Sequence, residues 1–275
     1  MSAASVLRRL FNPPKRVQPR VPEGTVVYAV GDIHGRAELL HLVIAAILDD
    51  IDANSERATI VFIGDYVDRG LRSREVVEQL LALEREDDLE TKFLRGNHDQ
   101  SVLEFLFNPT TGPTWCDFGG RETLVSYGVQ PPRNRTDMDE WAEASAAFAR
   151  ALPSDHRAFF ERLELSWEAG DYFFAHAGVR PGVALDAQEA QDLMWIRQAF
   201  LDDTRKLSKV VVHGHTPAEV VHSDARRIGI DTGAYATDVL TAVRLKGEER
   251  ALIQTQRMPD RSWRVAFRPM RPPGR

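Results

Sequence analysis

Three short segments restrict what this chain can fold into more than any other feature of it. Gly31-Asp32-Ile33-His34-Gly35, Gly64-Asp65-Tyr66-Val67-Asp68-Arg69-Gly70 and Gly96-Asn97-His98-Asp99 recur at near-equal intervals, each directly after an apolar run. Thr25 to Val30, Thr59 to Ile63 and Lys92 to Leu94 read as the strands that deliver them. Between them, Glu38 to Leu48 and Ser73 to Glu86 place apolar residues at helical spacing, and a further helix begins near Asp99. Strands alternating with helices imply a mainly parallel sheet with its loops gathered at the carboxyl ends of the strands.

Those loops collect one kind of chemistry. Asp32 and His34 stand two residues apart where a strand runs out, so both side chains project to the same side. Asp65 ends the next strand, where a carboxylate can bridge two ions. Asn97 adds a neutral oxygen, and His176 and His215 follow two later strands, Tyr172 to Ala175 and Lys209 to His213. The expected ligands are Asp32, His34 and Asp65 for one divalent ion, and Asp65, Asn97, His176 and His215 for a second. Oxygen and nitrogen donors without thiolate suit Mn²⁺, the expected ion, or Fe or Zn²⁺. Any one of these motifs alone is an ordinary turn, and a lone His176 between two alanines is an ordinary core histidine. Five strand ends bearing ligand-type residues outweigh that reading. His98 diverges from the adjacent Asn97, and Asp68 can orient it as a general acid. Arg69 offers a planar fork to phosphate oxygens, with Asn97 beside it. Such a set points to metal-assisted hydrolysis of phosphate esters. His41, His156 and His222 lie outside any motif, His213 reads as structural, and Asp231 reads as a turn residue.

The segments Gly-Asp-Ile-His-Gly, Gly-Asp-Tyr-Val-Asp-Arg-Gly and Gly-Asn-His-Asp resemble the signature of the phosphoprotein phosphatases, within the calcineurin-like metallophosphoesterases. The resemblance is to the bacterial and phage serine/threonine phosphatase branch. It extends to Ala175-His176-Ala177-Gly178, Trp195-Ile196-Arg197, Gly214-His215-Thr216-Pro217 and Ile230-Asp231-Thr232-Gly233, roughly residues 25 to 245. It implies an α/β fold, a four-layer α/β/β/α sandwich of two sheets between helices. It also implies direct hydrolysis by a metal-bridging hydroxide without a phosphoenzyme, and makes Arg197 a second phosphate-binding arginine. Asp99 departs from the Glu usual in protein phosphatases and resembles the ending found in diadenosine tetraphosphate hydrolases. Pro217 stands where a nuclease-like branch carries a further histidine. The reading that follows is a phosphomonoesterase acting on phosphoserine, phosphothreonine or small phosphoesters, with dinucleoside polyphosphate hydrolysis as the alternative.

The rest of the chain frames that site. At 275 residues and 43% hydrophobic, it can bury a full core. A net charge of −6 leaves no electrostatic footprint for nucleic acid. The single Cys116 makes no internal disulfide, and no apolar run is long enough to span a bilayer, so a cytoplasmic setting is expected. Residues 1–22 read as a basic, disordered arm carrying Arg8, Arg9, Lys15, Arg16 and Arg20, residues 23–257 as the catalytic domain, and 258–275 as an Arg- and Pro-rich tail in which Ser262 to Phe267 can form an edge strand. Within the domain, about 108–170 reads as a mostly helical insertion that caps the site. Its Trp115, Phe118, Trp141, Phe148, Phe159 and Phe160 are expected to form a small core of their own. The later strands, with a terminal hairpin of Val239 to Leu245 and Ala251 to Thr255, are expected in a second, mostly antiparallel sheet.

Overall fold

The computed structural model describes residues 18–53 and 56–270. Arg8, Arg9, Lys15 and Arg16 of the expected arm, and residues 271–275 of the expected tail, lie outside the described residues. The first sheet holds β1 (Thr25–Val30), β2 (Arg57–Phe62) and β3 (Glu90–Phe93), each parallel to its neighbour, with α1 (Ala37–Asp52) and α2 (Ser73–Glu84) as the crossovers. A third helix, α3 (Asn97–Phe107), starts at once after β3. The second sheet has the order β4 (Ser166–Ala169), β5 (Tyr172–Ala175), β6 (Val210–His213), β8 (Arg227–Gly229) and β7 (His222–Ser223). Its three inner strands β5, β6 and β8 run parallel, so this sheet is mixed and not mostly antiparallel.

The terminal hairpin belongs to the first sheet. β9 (Thr241–Lys246) pairs antiparallel with β1, from Val26 opposite Lys246 to Val30 opposite Ala242, and β10 (Glu249–Arg257) and β11 (Trp263–Pro269) continue outward. Burial explains the choice. β9 presents Ala242 to the helical side and Val243 and Leu245 to the other sheet, so both its faces need cover. A place beside β1 supplies it.

Alternation along the strands builds the layers. Val26, Tyr28 and Val30 of β1, with Ile60 and Phe62 of β2, pack under the helices. Val27, Ala29, Val61 and Ile63 face Tyr172, Phe174, Val210 and Val212 across the gap between the sheets. Phe173, Ala175 and Val211 turn outward onto Leu193, Ile196 and Phe200. The result is the expected α/β/β/α sandwich. The segment from 108 to 165 is helical, with short turns followed by α4 (Arg121–Ser126), α5 (Met138–Ala151) and α6 (Ser154–Glu161). Trp115, Trp141, Phe148, Phe159 and Phe160 do not form a separate core; they join the large cluster on the helical face of the first sheet. Phe118 is 61% exposed and belongs to no core. At the other end, the Arg20 backbone N–H donates to Asp171 (3.0 Å) and Val21 is buried, so this part of the expected arm packs on the β4–β5 turn.

Parallel strands of both sheets therefore open onto one edge. There the loops after β1 and β2 pass back to back. A Cβ on Gly35 would lie 2.4 Å from the Gly70 carbonyl oxygen, and one on Gly70 would lie 2.4 Å from that of His34. Gly35 also has a left-handed φ of +64°. Gly35→Ala is expected to cost about 2–4 kcal/mol from strain and overlap together. Gly24→Ala, also left-handed but in open space, is expected to cost only about 1 kcal/mol. Urea unfolding of the two variants measures the difference.

Candidate metal centre

The edge where both sheets open gathers every ligand that the sequence singled out. Asp32 and His34 follow β1, Asp65 follows β2, Asn97 opens α3 after β3, His176 follows β5 and His215 follows β6. All six are buried. The Asp65 carboxylate is the hub. Its Oδ1 accepts the His98 backbone N–H (3.0 Å), while Oδ2 lies 3.4 Å from His176 Nε2 and 3.5 Å from His34 Nε2. Asn97 Oδ1 lies 3.1 Å from His176 Nε2, and His215 Nδ1 lies 3.2 Å from the same nitrogen. Asp32 Oδ2 accepts the His215 backbone N–H at 3.1 Å, which docks the β1 loop of one sheet onto the β6 loop of the other.

Hydrogen bonding fixes which ring nitrogens carry protons. His34 Nδ1 donates to the Val67 carbonyl (2.8 Å) and His176 Nδ1 to that of Ile63 (3.0 Å). Burial pushes the pKa of His34 down to about 3 and lowers that of His176, so both rings are neutral and their Nε2 atoms are lone pairs. Those lone pairs face carboxylate and amide oxygens, which are acceptors too. His215 Nε2 is buried without a hydrogen-bond partner, so either tautomer leaves this ring unmatched. Acceptors crowded against acceptors in a dry site repel unless a cation lies among them. Ligand atoms of His34 and Asp65 converge at one possible ion site, with His98 beside them, and those of Asp65, His176 and His215 at another. The donors fit two divalent ions that share Asp65, with Asp32 and Asn97 at the flanks.

Beside this cluster, His98 Nδ1 donates to Asp68 Oδ2 at 2.6 Å. Burial disfavours the charged ring, but Asp65 and Asp68 together raise its pKa above the ordinary histidine value. Arg69 sends Nη2 to His98 Nε2 (3.2 Å) and lies 4.4 Å over the Tyr235 ring. Tyr235 in turn meets His34 edge-on at 5.4 Å and is 38% exposed. Across the mouth, Arg197 Nη1 donates to the His215 carbonyl (3.1 Å), and Trp195, 43% exposed, stands edge-on to the His215 ring. Among the described residues seven non-glycines have a left-handed φ, and five of them are His34, Asp65, Asp68, Arg69 and His215. Strain thus concentrates where the side chains must converge.

Some of this was not visible in the sequence. Asp99, read as a marker of substrate branch, is fully buried and faces no substrate. Its carboxylate accepts the backbone N–H groups of Asp65 (2.8 Å), Tyr66 (3.0 Å) and Gly96 (2.9 Å), which fixes the loop that carries the hub. Asp231 is more than a turn residue: it accepts the Gly233 N–H, and it is buried beside Asp32, whose pKa is raised by burial and then by Asp231. Tyr235 follows no motif that one sequence can show. His213 points to Arg227 and Phe200, away from the cluster. Asp65→Asn keeps the shape of the hub and removes its charge. Mn²⁺-loaded Asp65→Asn protein is expected to retain one ion or fewer, measured by elemental analysis after gel filtration; two retained ions would remove Asp65 from its place between the sites.

Comparison with known proteins agrees with the geometry. The asymmetrical bis(5'-nucleosyl)-tetraphosphatase PrpE of Anoxybacillus flavithermus is 22% identical over 236 residues, 78% of this chain and 88% of that protein. A crystal structure provisionally assigned as a diadenosine tetraphosphatase superposes with a TM-score of 0.54 at 19% identity, covering 92% of this chain and 98% of that one. A serine/threonine-protein phosphatase of Arabidopsis thaliana is 36% identical, but over 83 residues, only 28% of this chain and 8% of its own length. That likeness covers a short stretch of this chain. What spans the whole site, from β1 to the turn after β9, is the match of residues 25–247 to the calcineurin-like phosphoesterase family, and to that family the chain belongs.

Proposed function

We propose that this protein hydrolyses phosphate esters and anhydrides with two divalent ions held by Asp32, His34, Asp65, Asn97, His176 and His215, Mn²⁺ being the expected ion. The substrate class proposed is the dinucleoside tetraphosphates. The observation that carries the hydrolytic reading is the buried cluster of mutually facing acceptors with Arg69 and Arg197 on either side of it. Divalent ions in such a cluster neutralise phosphate charge and bring the pKa of water toward neutrality.

The protein's own groups supply the rest. Arg69 and Arg197 take the phosphoryl oxygens, and Asn97 orients one of them. The oxygen of water, losing a proton to solvent, forms a bond to phosphorus opposite the leaving oxygen, and the bond from phosphorus to that leaving oxygen breaks with its electron pair on the leaving group. His98 gives the leaving oxygen a proton from Nε2 and regains one from solvent, with Asp68 holding Nδ1. For this transfer Arg69, which donates to His98 Nε2, must turn to the phosphate, a move that the incoming charge favours and that frees Nε2 to take up the proton it then gives.

Support for the dinucleotide comes from the mouth and from the relatives. The sequence placed protein phosphatase first, and the tetraphosphatase relative that runs along most of the chain supports the alternative. The aromatics of the helical segment, Phe118 apart, are buried in the core, whereas Tyr235 and Trp195 are exposed beside the ligands. Rings in that position suit stacking against a nucleobase. Turnover of diadenosine tetraphosphate and of a phosphothreonine peptide by Mn²⁺-loaded protein tests the assignment. At least about tenfold higher kcat/KM on the dinucleotide is expected, a difference of 1.4 kcal/mol in transition-state binding; the opposite order restores the protein-phosphatase reading. Arg69→Ala is expected to lower kcat about 10²-fold on either substrate.

A further inference from the structure

The carboxylate that orients His98 is gripped from the far side by the helical segment. Asp68 is fully buried and receives three side-chain donors. Oδ2 accepts His98 Nδ1 (2.6 Å) and the Trp115 indole Nε1–H (2.9 Å), and Oδ1 accepts the Thr123 hydroxyl (2.6 Å). Thr123 also accepts the Asp68 backbone N–H at 2.9 Å, so one hydroxyl fixes both ends of the residue. Trp115 is 3% and Thr123 0% exposed.

The chain between these two donors is shaped to reach the loop. Residues Cys116–Gly120 form an irregular wide turn with Gly119 at a φ of 113°. The Gly119 carbonyl accepts the Arg69 N–H at 3.1 Å, and a Cβ on Gly119 would stand 2.6 Å from that nitrogen. Gly120 lies flat against the Trp115 indole, where a Cβ would meet the ring at 2.4 Å. One stretch therefore holds the Asp68 carboxylate through two side chains and the Arg69 backbone through a carbonyl.

We infer that Trp115 and Thr123 are positioning residues for proton donation: they fix the plane of the Asp68 carboxylate and, through it, the direction of His98 Nε2. The inference rests on the proposed role of His98 as general acid. Asp68 itself has a left-handed φ of 72°, so its side chain is aimed by these contacts and not by a relaxed backbone. Without them the carboxylate can swing, and the imidazole with it. Misalignment of a proton donor slows reactions in which the leaving oxygen needs the proton, and spares those in which it does not.

That distinction is the test. The slope of log kcat against leaving-group pKa is measured for a series of substituted phenyl phosphates, extended to alkyl phosphates. Metal-loaded wild type, His98→Asn, Trp115→Phe, Thr123→Val and Thr123→Ser are compared. Wild type is expected to show a shallow slope and His98→Asn a steep one. Trp115→Phe and Thr123→Val are expected to lie between, losing about tenfold or more in kcat on alkyl phosphates, with KM unchanged and little loss on nitrophenyl phosphate. Thr123→Ser, which keeps the hydroxyl, is expected to restore the wild-type slope; the Thr123 pair decides the matter if Trp115→Phe does not fold. A steep slope in His98→Asn with parallel, wild-type slopes in both Trp115→Phe and Thr123→Val overturns the positioning role. A wild-type slope in His98→Asn overturns the acid reading itself, and the inference with it.

Discussion

A buried carboxylate surrounded by other acceptors is an unstable arrangement on its own, and the rest of this structure is organised around making one. Asp65 places one oxygen on the N–H that opens α3 and the other among three imidazoles. Burial opposes its ionisation, while the charge of the nearby His98 ring favours it. Its loop cannot drift, because Asp99 collects the backbone N–H groups on both sides of the β2–β3 junction. Hydrogen bonds of that kind contribute about 0.5–1.5 kcal/mol each. The left-handed backbone at Asp65 and at four other site residues is tolerable only under such restraint.

The helical segment meets this centre at Asp68 and Arg69. Its aromatics merge with the core of the first sheet, while Trp115, Thr123 and the turn at Gly119 reach Asp68 and Arg69. The division suits a hydrolase whose chemistry is common to many substrates. The ligand cluster and its arginines act on the phosphoryl group alone, whereas the exposed rings of Tyr235 and Trp195 can act on whatever is attached to it.

The site was more legible in the sequence than the fold around it. Ligand-type residues announce themselves at strand ends because few other uses put Asp, His and Asn there together, and all six ligand positions converge. The hairpin β9–β10 was misplaced because alternation tells which faces of a strand are buried, not which strand it lies beside. Asp99, Trp115 and Thr123 escaped for a related reason. Their work is to hold backbone and carboxylate groups far away in sequence, and a buried Asp or Trp looks the same whether it packs or positions. Phe118 was assigned to a core by its type, and its neighbours in space put it on the surface.

Four of the proposed ligands come from the first sheet's loops and two, His176 and His215, from the second's. An ion seated among them is gripped by both halves of the polypeptide simultaneously, like a rivet through two plates. Its affinity then gauges how the plates lie: a slip of one sheet over the other by a fraction of a side chain separates His176 from Asn97 and Asp65. The apolar layer between the sheets, Val61 and Ile63 against Phe174 and Val212, thereby becomes part of the apparatus that sets ion affinity, although none of those side chains offers a ligand atom.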